Sequence, residues 1–391
     1  MTIKENIDEL LTRGVEEVIN RKELETALLG KQKLRIKFGI DPTSPNIHIG
    51  RAVVLWKLRA FQDLGHKIVF IIGDFTGLIG DTSDKDAERP MLTEAQVKQN
   101  LKTYFTQAFK ILDKNKTETQ YNSKWLKKLG FGEIGKIADL FGLHEFESRE
   151  NIAKRLKAGK RVSLRELLYP LMQGYDSVAV KADVELGGTD QRFNLLAGRT
   201  IQPSYGQKPQ QILTMQLLEG TDGRKMSSSW GNVINLTDSP TDMFGKVMSI
   251  NDELIRKYFL LATRVPQKEI DVIIKNNKNP RDQKIILAEN LTALYHGKDL
   301  AAKAKESFIA QFSQNKLPEK IDSITVKPGK YSVVELLVIT KLVNSKSEAR
   351  RLIDQRGVRI DSETAVEKQI EIGKKNNLLL QVGKRKFIKI N

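Results

Sequence analysis

The sequence predicts an α/β fold: a first domain on a parallel sheet, a helical segment after it, and a small basic domain at the end. Three observations carry this. Residues 33–40, 50–64 and 66–73 read as strand, helix and strand, and a crossover of that length joins parallel neighbours. Residues 241–311 keep a helical period and are rich in charge. Residues 313–331 hold Pro318, Pro328 and Gly329 among charged side chains, the composition of a linker. A chain of 391 residues exceeds one average domain, so two or three are expected.

In chain order, residues 1–32 read as helix, because Ile7, Leu10, Leu11, Val15, Val18, Ile19 and Leu24 recur at near-helical spacing. The βαβ unit follows. Its ligands belong at the carboxyl ends of its strands, where residues 41–48 and 74–81 lie. Residues 74–92, with Gly77, Gly80, Pro90 and many charges, read as a loop. Thr93 and Gln96 form a capping box that opens a helix to about Asp113. A short strand is expected over 117–122 and a helix over 163–178. Residues 183–186 read as a strand, 187–190 open another helix, and 211–218 form a further apolar strand. Beyond the linker, 332–342 and 345–353 read as helices and 357–361 as a turn and strand.

Lysine and arginine total 65 against 48 aspartate and glutamate, a net charge of +17. Such a surplus attracts polyanions at long range. Residues 331–391 alone hold 13 basic against 7 acidic side chains, so part of the surplus is concentrated at that end. Cysteine is absent, which excludes disulfides and thiolate metal sites, and His48, His66, His144 and His296 show no metal-ligand spacing. No protein-held metal is expected. No run approaches the roughly 18 apolar residues of a membrane span, and no signal-peptide pattern opens the chain. The expectation is a soluble, cytoplasmic protein with no membrane partner.

Two strings point to chemistry. Asn46-Ile-His48-Ile-Gly50-Arg51 lies between the first strand and its helix, where backbone N–H groups and the positive dipole end face a phosphate. Gly223-Arg-Lys225-Met226-Ser227-Ser228-Ser229 is a basic, hydroxyl-rich segment suited to a loop that closes over polyphosphate. Between them, Tyr169, Gln173 and Asp176 stand at i, i+4 and i+7 and share one helix face among Leu167, Leu168, Leu171, Met172 and Tyr175. Lys33, Arg35 and Lys37 alternate with Leu34, Ile36 and Phe38, and a basic face is unusual on a buried parallel strand. Lys37 is therefore expected to reach toward the pocket.

As an ordered pair the two strings resemble the His-Ile-Gly-His and Lys-Met-Ser-Lys-Ser signatures of class I aminoacyl-tRNA synthetases. The resemblance narrows to the bacterial tyrosyl-tRNA synthetases, in their longer subgroup, over nearly the whole chain. It rests on Gly39-Ile-Asp41-Pro-Thr43, Ile79-Gly80-Asp81, Tyr169-Pro-Leu-Met-Gln173-Gly-Tyr-Asp176 and Gly187-Gly-Thr-Asp190-Gln191-Arg-Phe-Asn194. It implies a Rossmann-type catalytic domain over 1–235, a helical tRNA-contacting domain over 236–312 and a linker over 313–330. Residues 331–391 resemble the small α-L RNA-binding module of a ribosomal protein.

The resemblance also implies roles. Asp41, Thr43, His48, Gly50, Arg51, Gly188, Asp190, Lys225, Met226, Ser227 and Ser228 would serve ATP, with Thr43, His48, Arg51 and Lys225 acting in catalysis. Asp81, Tyr169 and Gln173 would hold the α-ammonium of L-tyrosine, and Asp176 its phenol. Gln191 would lie near the carboxylate, and Lys37 and Gly39 would complete the tyrosine site. Lys346, Arg350 and Arg351 would face RNA phosphates. ATP would enter with Mg2+, the product acceptor would be tRNA(Tyr), and the protein would be a homodimer. Three positions depart from the family pattern: Arg51 replaces a histidine, Ser228 a lysine, and Lys37 a tyrosine common in the family. The rival readings are a tryptophan–tRNA ligase of the same fold and a non-catalytic RNA-binding paralogue.

Overall fold

The computed structural model describes residues 2–81, 91–313, 321–343, 345–361, 363–366, 369–373, 378–383 and 386–390. The chain divides into two compact units, Met1–Lys305 and Glu306–Asn391.

The first unit is organised by a six-stranded sheet in the order β1-β6-β5-β2-β3-β4. Its strands are β1 (Val15–Ile19), β2 (Arg35–Ile40), β3 (Lys67–Ile72), β4 (Thr117–Tyr121), β5 (Val184–Gly188) and β6 (Gln211–Met215). Strands β2 to β6 pair in parallel, and β1 closes the edge antiparallel to β6. Residues 68–72 of β3 are wholly buried, as expected for a parallel strand covered on both faces. The chain leaves β2 for β3 on one side and returns to β5 on the other. Strand order reverses there, which opens a crevice at the carboxyl ends of β2 and β5.

Helices α1 (Ile3–Thr12) and α2 (Arg21–Leu29) flank β1, and α3 (Ile49–Asp63) makes the crossover from β2 to β3. Helices α4 (Thr76–Ile79) and α5 (Glu94–Ala108) lead to β4. Between β4 and β5 run α6 (Ser123–Leu126), α7 (Phe131–Ala138), α8 (Leu143–Glu147), α9 (Glu150–Lys157) and α10 (Leu164–Val180). Helix α11 (Arg192–Ile201) packs along α10, where Gly174 lets the two backbones approach: a Cβ there would lie 3.0 Å from the Ala197 carbonyl carbon. Five helices follow β6: α12 (Pro240–Met248), α13 (Ile255–Ala262), α14 (Gln267–Asn276), α15 (Pro280–His296) and α16 (Lys298–Ser313). Arg13 ties the end of α13 to the N-terminal helix by donating to the carbonyls of Leu260 and Thr263, each at 2.9 Å.

Several expectations are corrected. Residues 1–32 are not one helix: Gly14 takes a left-handed φ of +65° that ends α1, and Val15–Ile19 then pairs with β6. The apolar period there fits either structure, and the open edge of β6 decides it. Helix α5 stops at Ala108 rather than near Asp113. Strand β5 continues through Gly188, a single 3-10 turn spans Thr189–Gln191, and α11 begins only at Arg192. Strand β6 ends at Met215, short of Leu218. The capping box of Thr93 and Gln96 is present as expected. Of the expected loop 74–92, residues 82–90 lie outside the described residues, and residues 76–79 form α4.

In the second unit, helices α17 (Val333–Ile339) and α18 (Lys346–Asp354) accompany a five-stranded sheet and a two-stranded one. The expected linker is only partly a linker. Residues 314–320 lie outside the described residues, but β7 (Ser323–Ile324) pairs with the last strand and β8 (Gly329–Ser332) pairs with Gln369–Ile372. Helix α17 is correspondingly shorter than the expected 332–342. Val333, Leu336, Leu337, Val358, Leu380 and Ile390 fill the core, so this unit has its own apolar interior.

Candidate functional site

The crevice between β2 and β5 holds a cavity of about 920 Å3, within the range of ordinary small-ligand sites. Its lower end is built by α10. Asp176 is buried there, and both its oxygens accept hydrogen bonds, Oδ1 from Trp125 Nε1 at 2.7 Å and Oδ2 from Asn122 Nδ2 at 3.2 Å. Burial pushes its carboxyl up to about 7, against the opposing pull of the Lys37 charge and these two donors. Tyr169 donates to Asp41 Oδ2 at 2.9 Å, and Asp41 Oδ1 accepts from Thr76 Oγ1 at 2.8 Å. Burial and the Asp41 charge hold the Tyr169 phenol in its protonated, donating form. Gly73 makes room for this arrangement, since a Cβ there would fall 1.9 Å from Asp41 Oδ1. Asp81 accepts from Gln191 Nε2 at 2.7 Å, and Gln173 completes this polar end.

The upper end is built by the start of α3 and by the loop after β6. His48 is the N-cap residue of α3, yet its side chain makes no capping bond. The ring is buried, and its Nδ1 has no hydrogen-bond partner. Burial, then the nearby charges of Arg51 and Lys225, push its pKa down to about 3, so it is a neutral imidazole offering hydrogen bonds without charge. Arg51 is held by the Tyr104 hydroxyl and by Thr43 Oγ1 at 3.1 Å. At Gly50 a Cβ would come within 3.1 Å of His48 Nδ1 and 3.4 Å of Met226 Sδ, so a side chain there would crowd that wall.

Residues 219–232 form a latched loop. Gly220 N–H donates to the Arg224 carbonyl at 2.6 Å around a turn in which Gly223 has φ +81°. Asn232 clasps it from inside: Oδ1 accepts the Ser227 N–H at 2.9 Å, while Nδ2 donates to the Asp222 carboxylate at 2.7 Å and the Lys225 carbonyl at 3.1 Å. Lys225 crosses to Asp190 at 2.7 Å, and Ser228 Oγ lies 3.5 Å from Ser44 Oγ on the opposite rim. Short bridges from Ile49 N–H to the Ile234 carbonyl and from Leu236 N–H to the Ile47 carbonyl tie the loop's exit to the start of α3.

Gly39, Asp41, Thr43, His48, Gly50 and Arg51 from the first half of the chain line this cavity. So do Asp81, Tyr169, Gln173, Asp176, Gly188, Asp190, Gln191, Lys225, Met226, Ser227 and Ser228. Lys37 does not, contrary to expectation. It is wholly buried one layer below, bonded to Glu185 at 2.9 Å and to the Gln173 carbonyl and Ser177 Oγ at 2.7 Å each. Its strand face meets α10 and β5, and that is where the ammonium finds its acceptors. Asn122, Trp125, Thr76, Glu185 and Asn232 were not anticipated. Asn122 and Trp125 follow the carboxyl end of a parallel strand, which is a usable signal. Glu185 had one too, because a basic strand that is buried requires a buried acid. Among the described residues no group of three acidic or histidine side chains is placed to hold a metal ion. In the second unit, Lys346, Arg350 and Arg351 are all exposed on α18, while Ala349 and Ile353 turn inward.

Comparison with known proteins gives a consistent picture. Residues 30–313 match the family described as tRNA synthetases class I (W and Y), and residues 312–390 match the tyrosine–tRNA ligase SYY-like C-terminal domain. The chain is 46% identical to the tyrosine–tRNA ligase of Thermotoga maritima, across all of this chain and 98% of that one. It is 46% identical to that of Coxiella burnetii, across 98% and 97% of the two chains. Among solved structures, tyrosyl-tRNA synthetase from Archaeoglobus fulgidus, complexed with L-tyrosine, superposes with a TM-score of 0.62 at 23% identity, covering 78% of this chain and all of that one. A truncated mitochondrial tyrosyl-tRNA synthetase from Aspergillus nidulans gives 0.65 at 21% identity, covering 80% and 94%. At these identities the two structures speak for the fold.

Proposed function

The chain belongs to the tyrosine–tRNA ligases of the class I tRNA synthetases, and from that membership we propose how its pocket divides the work. Such a ligase joins the carboxylate of L-tyrosine to the α-phosphorus of ATP. A C–O–P bond forms, the bond to the β-phosphate oxygen breaks, and pyrophosphate leaves. A ribose hydroxyl at the 3′ end of tRNA(Tyr) then displaces AMP. These steps need positioning and charge stabilisation more than acid–base help.

We assign the lower end of the cavity to tyrosine. Asp176 accepts a hydrogen bond from the phenol hydroxyl, while Asp81, Tyr169 and Gln173 receive the α-ammonium and Gln191 faces the carboxylate. Gly39 forms part of the same wall. Asp41 holds Tyr169 in place, and Lys37 acts from beneath. The upper end takes ATP. Gly188 and Asp190 meet the ribose, Gly50 and Met226 flank the base, and Thr43, His48, Arg51, Lys225, Ser227 and Ser228 surround the phosphates. The unpartnered Nδ1 of buried His48 supports this, since such an atom is costly unless a ligand bonds it. ATP enters as its Mg2+ complex, with the ion carried by the phosphates. The same reading sets the protein in the cytoplasm; no described helix is long and apolar enough to cross a membrane.

The observation that carries the amino-acid choice is the buried Asp176 carboxylate with one donor already on each oxygen. Its ionised form is the acceptor the phenol requires. The KM for tyrosine should therefore rise as the pH is lowered through about 7, while His48, at about 3, stays neutral throughout. Asp176→Asn should flatten that profile and lower kcat/KM for tyrosine roughly 10- to 100-fold, the worth of one hydrogen bond to a charged group. A parent profile that is flat from pH 6 to 8, or an unaffected Asp176→Asn, would count against the assignment.

The homodimer expected for the family is proposed to form on the surface of residues 131–168. Among the described residues, six of the fourteen exposed large apolar side chains fall there, including Phe131, Leu143, Leu164 and Leu168. Leu164 and Leu168 stand one turn apart on α10, the helix that also carries the tyrosine residues. Sedimentation should give twice the 44.3 kDa chain mass, and Leu164→Glu with Leu168→Glu should give monomers. A double variant that stays dimeric places the interface elsewhere.

A further inference from the structure

Beneath the polar end of the cavity Lys37 is one half of a buried ion pair, and its partner Glu185 has none of the roles given above. Glu185 of β5 and Lys37 of β2 are register partners across the parallel ladder. Their side chains are 1% and 0% exposed, and they meet at 2.9 Å. The carboxylate gathers three further donors: Oε1 accepts from Gln173 Nε2 at 3.1 Å, and Oε2 accepts from Ser177 Oγ at 3.1 Å and from Gln210 Nε2.

A carboxylate can only accept and an ammonium can only donate, whereas a carboxamide has one group of each kind. Gln173 can therefore face Glu185 in one orientation only, with its NH2 against the carboxylate. Its carbonyl oxygen is left for the cavity it lines. An oxygen there suits a ligand group that only donates. An NH2 there would repel one.

Resting on the reading of this cavity as a tyrosine site, we propose that Glu185 is a positioning residue that makes the pocket select an α-ammonium group. It does so by locking the Gln173 amide with its oxygen toward the substrate. Lys37 is the counter-charge that pairs with this carboxylate at that depth. It also fastens the Gln173 backbone by its bond to the carbonyl. A lysine at this position thus works with Glu185 as a unit, one layer away from the ligand.

The test compares L-tyrosine with its des-amino analogue, 3-(4-hydroxyphenyl)propanoate, binding to the full chain by titration calorimetry. Glu185→Gln keeps the shape but offers a group that can rotate to donate or accept. It should reduce the preference for tyrosine over the analogue at least about tenfold, as for one hydrogen bond to a charged group. The loss should come from weaker tyrosine binding with the analogue unchanged, and KM for ATP should stay within about twofold. Lys37→Met/Glu185→Gln, which leaves no unpaired buried cation, should show the same loss and guards against a folding defect in the single variant. Gln173→Ala separates the two levels of the argument. If it leaves the preference intact, the assignment of Gln173 to the α-ammonium fails, and the role of Glu185 with it. If it collapses the preference while both Glu185 variants keep that of the parent, the positioning role of Glu185 is overturned.

Discussion

Lys225→Met should slow tyrosyl-adenylate formation about 10²- to 10³-fold, the usual cost of losing one preorganised transition-state donor, with tyrosine affinity nearly unchanged. The loop that carries Lys225 has little in reserve. Where the family signature has a second lysine this chain has Ser228, and the adjacent Arg224 is already engaged. Its guanidinium bonds the Asp222 carboxylate at 2.5 and 2.8 Å and lies over the Trp230 ring at 4.8 Å. Lys225 instead points across the cavity to Asp190. The clasp by Asn232 fixes the backbone on either side of it, so its position is set before ATP arrives. Single-turnover formation of adenylate, followed by quenched flow, gives the rate without tRNA. A variant as fast as the parent would mean that the phosphates are neutralised by Arg51 alone.

A chain ending at Ser313 should still form tyrosyl-adenylate within about twofold of the parent rate, yet charge tRNA poorly. All the pocket residues precede that point, and the second unit has its own core, so the cut leaves the first interior intact. It falls earlier than the sequence pattern implied, because Ser323–Ile324 and Gly329–Ser332 are strands of the second unit. Lys346, Arg350 and Arg351 are taken to neutralise three phosphates. Each contributes about 0.7 to 0.9 to the slope of log affinity against log salt, so the parent should lose roughly 20- to 40-fold more affinity than the truncated chain when salt rises fourfold. Reversing the three side chains to glutamate should reproduce the truncation. Charging and salt dependence that survive both changes would make this helix face an ordinary solvated surface.

Much of this was legible because the residues involved obey local rules. The crossover from β2 to β3 shows as two apolar runs around an amphipathic helix, and parallel topology then fixes where ligands bind. Tyr169, Gln173 and Asp176 share a face by helical period alone, and all three stand on the cavity wall. What failed depended on partners distant in sequence. Val15–Ile19 is a strand because β6 offers an open edge nearly 200 residues later. Lys37 was expected in the pocket, since the strand pattern tells which face a side chain takes but not the depth at which its charge is met. Its partner Glu185 lies 148 positions away. Trp125 and Asn122 reach Asp176 from the end of β4, a convergence that only the assembled sheet creates.

The central claim, that this cavity selects tyrosine and activates it, is tested most directly by amino-acid-dependent exchange of labelled pyrophosphate into ATP. Tyrosine, phenylalanine and tryptophan should be offered in turn to the full chain without tRNA. Phenylalanine leaves the buried Asp176 carboxylate without its phenol partner, and tryptophan brings a larger ring with an N–H in the wrong place. Tyrosine should support exchange, with a preference over phenylalanine of about 10⁵ in kcat/KM, a magnitude established on tyrosyl-tRNA synthetases themselves and carried over, not deduced from this geometry. Exchange supported equally by phenylalanine, or better by tryptophan, would contradict the account.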